Sequence, residues 1–594
     1  MRSTSIAAIP KTRLKNVRVL MRLWRYLYRF KWRLLLAVFI SFASNALALL
    51  GPMISGLAID AVARGAGNVD MTLVLAYCAL MIVFYVVSSA LSYLLSIFMV
   101  GITQKVVVAL RRDLFNRLIR LPVSYFDNAQ TGDILSRISY DIDTIANTLS
   151  SDAVQIFTGV FTVIGSFVLM LTISPALVLI FAVTIPVSVF ATRYLVKKVK
   201  PLFRARSGKL GTLNGYAEEK ISGHKTIKAY NAESSIIGGF DALNSDAADA
   251  YCKADYYGTV TGPTMNLVNN ISIALVSMFG VLLYLIGGPI GITLGNLSSF
   301  TLYSRKFAGP INEFGNILSE LQSAAAAAER VMRIIDEAPE PPDAEEAAAL
   351  SGVQGFVTAR DVNFSYVEGR PILRNVEFDA PPGKTVAIVG PTGGGKTTVI
   401  NLLMRFYDPD SGEIRIDGTE IREAARASVR AAYSMVLQDT WLFCGTVYEN
   451  IAYSRDTVTR GEVEEAARAA RIDGYVESLP DGYDSVLDEG GMNISKGQKQ
   501  LISIARAMLS DAGMLILDEA TSNVDTRTEM EIQRAMLRLM RGKTCFVIAH
   551  RLSTIVNADI ILVIKDGEII ERGNHAELIS RDSYYKQMYS SQFE

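Results

Sequence analysis

Uncharged apolar residues gather into four long blocks in the first half of the chain: Leu34–Ile59, Met71–Gln104, Ala153–Thr192 and Tyr256–Ser304. They run for 26, 34, 40 and 49 residues. A helix that crosses a bilayer needs about 20 apolar residues, so the first two blocks each hold one span. The third and fourth are each long enough for two. Each also carries a helix-breaking signal near its middle, Ser174-Pro175 in one and Gly287-Gly288-Pro289 in the other. The pattern predicts six membrane-spanning helices. Uncharged runs of 40 and 49 residues are too long for the buried helices of a water-soluble protein.

Basic residues orient the spans. Residues 1–33 carry ten Lys and Arg and no acid, and 193–255 carry eleven, whereas the short connections at 60–70, 173–176 and 287–292 hold Arg64 alone. Basic loops face the cytoplasm, which predicts that both termini lie inside, with a plasma-membrane location. Leu20–Trp32, with Trp24, Tyr26, Tyr28 and Trp32 among arginines, reads as an amphipathic helix on the inner leaflet. A cleaved signal peptide fits less well, because the first apolar block is too long and lacks a clear cleavage site. The connections 105–152 and 193–255 mix acids and bases with few Pro or Gly and should extend the membrane helices into the cytoplasm. An Ala-rich helix at Ser323–Glu337 then leads into Ala338-Pro339-Glu340-Pro341-Pro342, which reads as a linker. The expected organisation is an amphipathic segment at 1–33, an α-helical six-span domain at 34–335, a linker at 336–352 and a second domain at 353–594.

In that second domain short β-branched runs alternate with amphipathic helical stretches, which predicts an α/β domain with a mainly parallel sheet. The strand Thr385–Val389 runs directly into Gly390-Pro391-Thr392-Gly393-Gly394-Gly395-Lys396-Thr397-Thr398, followed by helical Val399–Phe406. This is the P-loop pattern GxxxxGK[ST] in its required strand–loop–helix setting. Glycines let backbone N–H groups close around phosphate oxygens at a helix N-terminus; Lys396 would reach the β- and γ-phosphates and Thr397 would coordinate Mg²⁺. The strand Met514–Leu517 ends in Asp518-Glu519. There Asp518 is the expected metal-side carboxylate, and Glu519 would orient or deprotonate the attacking water. A third strand, Thr544–Ile548, ends in Ala549-His550, which suits a γ-phosphate contact.

Composition removes several other classes. Of 594 residues, Lys+Arg and Asp+Glu number 59 each, so nothing points to a nucleic-acid partner. Half the residues are hydrophobic and the mean hydropathy is +0.26, too apolar for a disordered chain. Four scattered Cys without CxxC spacing and three His exclude a disulfide framework or a Cys/His zinc site.

Six spans followed by this domain resemble an ABC exporter-type half-transporter, a likeness that covers nearly the whole chain. Asn493-Ile494-Ser495-Lys496-Gly497-Gln498 is similar to the family's LSGGQ signature, 20 residues before Asp518. Gln438 matches the loop that joins the ATP site to the membrane part, Ser522-Asn523-Val524-Asp525 the SALD loop, and Tyr366 the aromatic that stacks on adenine. Tyr125-Phe126-Asp127 with Thr131-Gly132-Asp133 and Ser136-Arg137 resembles the first cytoplasmic coupling region, and Glu219, Gly223 and Lys228-Ala229-Tyr230 the second. The resemblance implies ATP and Mg²⁺ as cofactors and a dimer. Each ATP would lie between one chain's phosphate loop and the other's Ser495, Gly497 and Gln498, with Asp525 nearby. Glu519, His550 and Gln438 would serve hydrolysis, and Thr397, Gln438 and Asp518 the metal. Closure of the two ATP-binding domains would turn a membrane cavity outward. An importer on the same frame, or a membrane-tethered regulatory ATPase or channel, stays open as an alternative.

One departure from the family pattern bears on the partner. The signature has Ile494 and Lys496 where the family usually has Leu and Gly, while the phosphate loop, Asp518, Glu519 and His550 are intact. That combination resembles one half of an asymmetric heterodimer; a homodimer that tolerates Lys496 is the other reading. The spans hold few polar residues, among them Asn45, Ser88, Thr162 and Asn269, which either bind substrate or hydrogen-bond between helices. No charge falls within the four blocks, so an amphipathic or hydrophobic substrate is expected, with membrane lipids as neighbours.

Overall fold

The computed structural model describes residues 16–593 apart from 64–68, 288–291, 438, 439, 456, 492, 519–524 and 549–551. The chain forms two compact units: one of residues up to Ile119 and Gln130–Glu337, the other of Arg120–Ala129 and Ala338–Glu594.

The first unit is helical. Its elements are α1 (Asn16–Tyr28), α2 (Lys31–Val62), α3 (Met71–Leu118), and, after α4 (Val123–Asn128) of the second unit, α5 (Thr131–Ser136), α6 (Ile142–Asn147), α7 (Ala153–Ile173), α8 (Pro175–Ser222), α9 (His224–Ala229), α10 (Glu233–Thr259), α11 (Thr261–Ile286) and α12 (Leu294–Asp336). Single π-turns at Arg137–Asp141 and Thr148–Asp152 join α5, α6 and α7 into one continuous run. The break expected at Ser174-Pro175 is present: Ser174 is extended (φ −158°) and Pro175 takes the first turn of α8, where no N–H is needed. Gly287 ends α11 at φ +65°, the left-handed region that favours glycine. The amphipathic helix begins and ends earlier than expected, at Asn16 and Tyr28, and Trp32 belongs to α2. Its apolar stripe, Val19, Leu23 and Leu27, is buried against protein, while Trp24 and Tyr28 are exposed. Two polar ties hold it: Arg22 forks onto Asp336, and the Tyr26 hydroxyl donates to Asp113 at 2.9 Å.

Among the described residues five helical runs are long and apolar enough to cross a membrane: Lys31–Val62, Met71–Leu118, Thr131–Ile173, Pro175–Ser222 and Glu233–Ile286. The sixth expected span corresponds to the start of α12, which is long but does not end its apolar stretch at a loop. The helix runs on through Arg305 and Lys306, so two cations stand inside it.

The first half of α12 packs against α2 along a seam of backbone-directed contacts. Asp60 accepts from the Gly295 N–H and the Thr293 hydroxyl, both at 2.7 Å. The helices then approach so closely that a Cβ on Gly295 would lie 2.1 Å from the Gly56 carbonyl oxygen. Deeper along α2, Pro52 has no N–H to give to the carbonyl four residues back, that of Ala48. Here α12 supplies donors: Ser299 to the Pro52 carbonyl (2.8 Å), Tyr303 to that of Leu49 (2.6 Å) and Lys306 to that of Ala48 (3.1 Å). Phe300, Tyr303 and Phe307 of α12 also join a core with Leu49, Met170 and Phe181. Several polar residues of the spans tie one helix to another. Thr162 donates to Asn45 at 2.9 Å, and Ser44 and Ser88 donate to each other's carbonyls at 2.8 and 2.9 Å.

The second unit contains β1 (Val357–Phe364), β2 (Leu373–Ala380), β3 (Thr385–Val389), β4 (Ser411–Ile416), β5 (Thr419–Glu420), β6 (Tyr433–Val436), β7 (Gly445–Thr446), β8 (Val486–Leu487), β9 (Met514–Asp518), β10 (Thr544–Ile548), β11 (Ile560–Lys565) and β12 (Glu568–Gly573). Its main sheet runs β12-β11-β3-β10-β9-β6, parallel except for β12; β2-β1-β4-β5 form an antiparallel sheet. Strands β3, β9 and β10 are apolar on both sides because both faces are covered. Ala387, Val389, Leu515, Leu517, Cys545 and Val547 face one core, and Val386, Ile388, Ile516, Phe546 and Ile548 the other.

The α2–α12 seam generates a stability prediction. Gly295→Val should destabilise the protein by about 3 kcal/mol, because its Cβ meets backbone that cannot swing aside. Gly101→Ala in α3, where a Cβ meets nothing within 4 Å, should be neutral or stabilising by about 1 kcal/mol. Thermal unfolding of the detergent-solubilised variants checks both.

Candidate functional site

The phosphate loop lies at the carboxyl end of the central strand β3. Gly390 follows the strand at φ +147°, and a Cβ there would sit 2.0 Å from the Ile564 carbonyl oxygen of β11. Gly393 and Gly395 also hold positive φ, +81° and +105°. Gly395 caps α13 (Lys396–Leu403), so the loop ends on a helix N-terminus whose free N–H groups suit an anion. Lys396 is buried and folds back across the loop, its ammonium donating to the carbonyls of Gly390 (2.8 Å) and Pro391 (3.0 Å). Burial lowers its pKa, while the charge of Asp518 pulls the other way. Pro391, Thr392, Gly393 and Thr397 are exposed, Gly394 and Thr398 buried.

Asp518 is the last residue of β9, paired in register with Ile548 at the end of β10. Glu519 follows β9 directly, His550 comes two residues after β10, and Gln438 two after β6, three adjacent strands at the carboxyl edge beside the loop. Ligands gather at such an edge in open α/β sheets. Gln438, Glu519, Ser522–Val524 and His550 themselves lie outside the described residues.

Tyr366 is half-exposed above α13. Its hydroxyl receives from Asn401 at 3.0 Å and donates to Thr398 at 3.3 Å. Its ring meets those of Phe364 (centroids 4.9 Å apart) and Tyr407 (5.0 Å) edge to face. The Tyr407 hydroxyl in turn bonds to Asp127 of α4. Burial first, then that carboxylate, pushes the Tyr407 phenol up. Thus the segment Arg120–Ala129, which joins α3 to α5 and carries Tyr125-Phe126-Asp127, belongs to the same compact unit as the phosphate loop. Tyr407 carries no motif signal; its aromatic neighbour Phe406 and the end of α13 were the only hints in the sequence.

The signature opens the helix Lys496–Leu509. Ser495 is its N-cap, in a reciprocal box with Gln498: the Ser495 hydroxyl accepts from the Gln498 backbone N–H (3.3 Å) and the Gln498 side-chain Oε1 accepts from the Ser495 backbone N–H (2.9 Å). Gly497 is buried and Lys496 exposed. Among the described residues no hydrogen bond links this helix start to the chain's own phosphate loop. Asp525 caps the helix Thr526–Met540 through the Thr528 N–H at 3.0 Å, which holds its carboxyl below the usual range. In the other unit Gly223 ends α8 and α9 follows, with Lys228 paired to Glu233 at 2.6 Å and Tyr230 exposed.

A P-loop domain fused to a bundle of membrane helices defines a class, and comparison with known proteins identifies it. Residues 34–311 match the family described as ABC transporter transmembrane region, and 373–522 that described as ABC transporter. The chain is 42% identical, over 97% of its length and 94% of the relative's, to an uncharacterized ABC transporter ATP-binding protein of Bacillus subtilis. It is 45% identical, over 82% of its length and 76% of the relative's, to a fatty acid ABC transporter ATP-binding/permease protein of Mycobacterium bovis. The solved structure of a bacterial Atm1-family ABC exporter with ATP bound superposes with a TM-score of 0.79 at 30% identity, covering 95% of this chain and 98% of that one. The chain belongs to the ABC transporters, as an exporter-type half-transporter with its membrane region and ATP-binding domain in one polypeptide. It is an integral membrane protein and an ATPase coupled to transport.

Tyr407→Phe tests the bond between Tyr407 and Asp127. It keeps the ring beside Tyr366 but removes the hydroxyl that holds Asp127, a contact to a charged group. Nucleotide affinity, measured with a fluorescent ATP analogue, should stay within about twofold. Stimulation of ATP hydrolysis by transported compound should fall about tenfold.

Proposed function

We propose that this chain is one half of a dimeric exporter that moves an amphipathic or hydrophobic substrate by alternating access, from a plasma membrane in which both termini face the cytoplasm. The observation that carries the reading is the phosphate loop on β3, with buried Lys396 folded across it and Asp518 ending β9 at the same sheet edge, in the same chain as the membrane helices. Each ATP would be held by Gly390–Thr398 and Lys396 of one chain, with Tyr366 stacked on adenine, and closed over by Ser495, Gly497 and Gln498 of the other, with Asp525 alongside. Thr397, Asp518 and Gln438 offer hard oxygen donors of the kind Mg²⁺ prefers; when bound, the ion neutralises charge on the β- and γ-phosphates. Glu519 would accept a proton from the water that attacks the γ-phosphorus, as the bond to the β–γ bridging oxygen breaks and ADP leaves. His550 would hold the γ-phosphate oxygens. The M. bovis relative, named for fatty acid transport, supports a lipid-like substrate.

Glu519→Gln should abolish multiple turnover while leaving ATP binding intact, because amide for carboxylate keeps the shape and removes the base. The readout is ATP trapped stoichiometrically in the variant; turnover at the wild-type rate would overturn the role of Glu519.

We further propose a heterodimer. Lys496 takes the first helical position after the Ser495 cap, exposed, where its Cβ and cation would meet a partner's ATP. The site that Lys496 helps to close would hydrolyse slowly, and this chain's Glu519 would act on ATP completed by a regular signature from the partner. Purified alone, the chain should turn over slowly, and it should co-purify from its host with a second half-transporter lacking the equivalent glutamate. Robust hydrolysis at both sites of a homodimer would defeat the proposal.

A further inference from the structure

The middle of α12 carries charge that ATP hydrolysis does not use. At 1.5 Å per residue, Arg305 and Lys306 lie roughly 16 and 18 Å from the start of the helix, half-way across a hydrocarbon layer about 30 Å thick. Lys306 is half-buried, and its one hydrogen bond goes to the Ala48 carbonyl that Pro52 leaves without a helical donor. Two of its three N–H protons remain. Arg305 is exposed on the chain and makes no hydrogen bond or ion pair among the described residues. A strut for α2 explains Lys306; it does not explain the arginine next to it.

Among the described residues no acid pairs with either cation. The uncharged blocks contain none by composition. Asp60, the acid at the far end of α2, is engaged by Thr293 and Gly295, about 16 Å away along α12. Glu313 lies two turns further along the helix in the other direction. Charged side chains at this depth are costly and mark a pathway or a ligand. An anion would offset the cost, and guanidinium beside ammonium suits the two-oxygen face of a carboxylate or phosphate.

We propose that Arg305 and Lys306 form a head-group site for the transported molecule, which is therefore an amphipathic anion: an acyl or similar apolar body bearing a carboxylate or phosphate. The assignment rests on the reading of this chain as a transporting half and narrows its substrate class. Ser299, Tyr303 and Lys306 fix α12 on α2, so the helix presents Arg305 from a rigid frame.

The full-length protein, with any partner that co-purifies, is reconstituted in phosphatidylcholine nanodiscs and titrated with three matched probes: oleate, oleyl phosphate and neutral oleyl alcohol. Half-maximal stimulation of ATP hydrolysis, and separately half-maximal thermal shift, should need at least roughly tenfold less of an anionic probe than of the alcohol. Arg305→Gln should shrink that anion-to-alcohol ratio about tenfold, and Arg305→Lys should keep part of it. Lys306→Arg preserves the cation and guards against a variant that loses its helix packing. Preference for oleate over oleyl phosphate, or the reverse, separates a fatty acid from a phospholipid source. Equal response to all three probes, or an Arg305→Gln variant that keeps the wild-type ratio, overturns the site. Anion preference in the thermal shift without any probe-dependent hydrolysis would leave the site standing and overturn the transport reading instead.

Discussion

A carbonyl that loses its helical partner inside a bilayer has no water to turn to, and the cost of leaving it bare is several kcal/mol. Pro52 creates that situation in the middle of α2, and the arrangement of the membrane helices follows from how it is met. α12 supplies Ser299, Tyr303 and Lys306 at successive turns to the carbonyls of Pro52, Leu49 and Ala48. For these side chains to reach, the two helices must touch, which Gly56 and Gly295 allow. Asp60 then fixes the far end by capping α12. The same constraint explains a cation in a membrane helix: the ammonium is the donor with reach enough for the orphaned oxygen.

A comparable economy governs the ATP-binding domain. The loop must fold with its N–H groups inward, and Gly390 must pass so close to Ile564 that no side chain fits. Strand β3 sits at the centre of a parallel sheet whose two faces are both covered, so the end of the strand is rigid.

From that frame a row of aromatic edges leads outward. Tyr366 meets Tyr407, and Tyr407 bonds Asp127 on the segment between α3 and α5. That segment is continuous in sequence with α3 and α5.

Much of this was legible in the sequence. Strands at Thr385–Val389, Met514–Leu517 and Thr544–Ile548 appear where β-branched runs are bounded by glycine and acids. Uncharged length announced the membrane helices, and Ser174-Pro175 and Gly287 the turns between them, because those signals are local. Other features were not local. The partner of Asp127 lies 280 residues away, and Lys306 reaches across 258 to Ala48, so neither bond has a spacing that could be read. The amphipathic N-terminal stripe could be recognised, but its covering by protein could not, since a helix shows an apolar face in the same way to lipid and to another helix. Periodicity and motif chemistry thus determined the elements and the phosphate loop. Which carbonyl Pro52 would orphan was also fixed by the chain, four residues back; which side chain would answer it was decided only when α12 came to lie against α2.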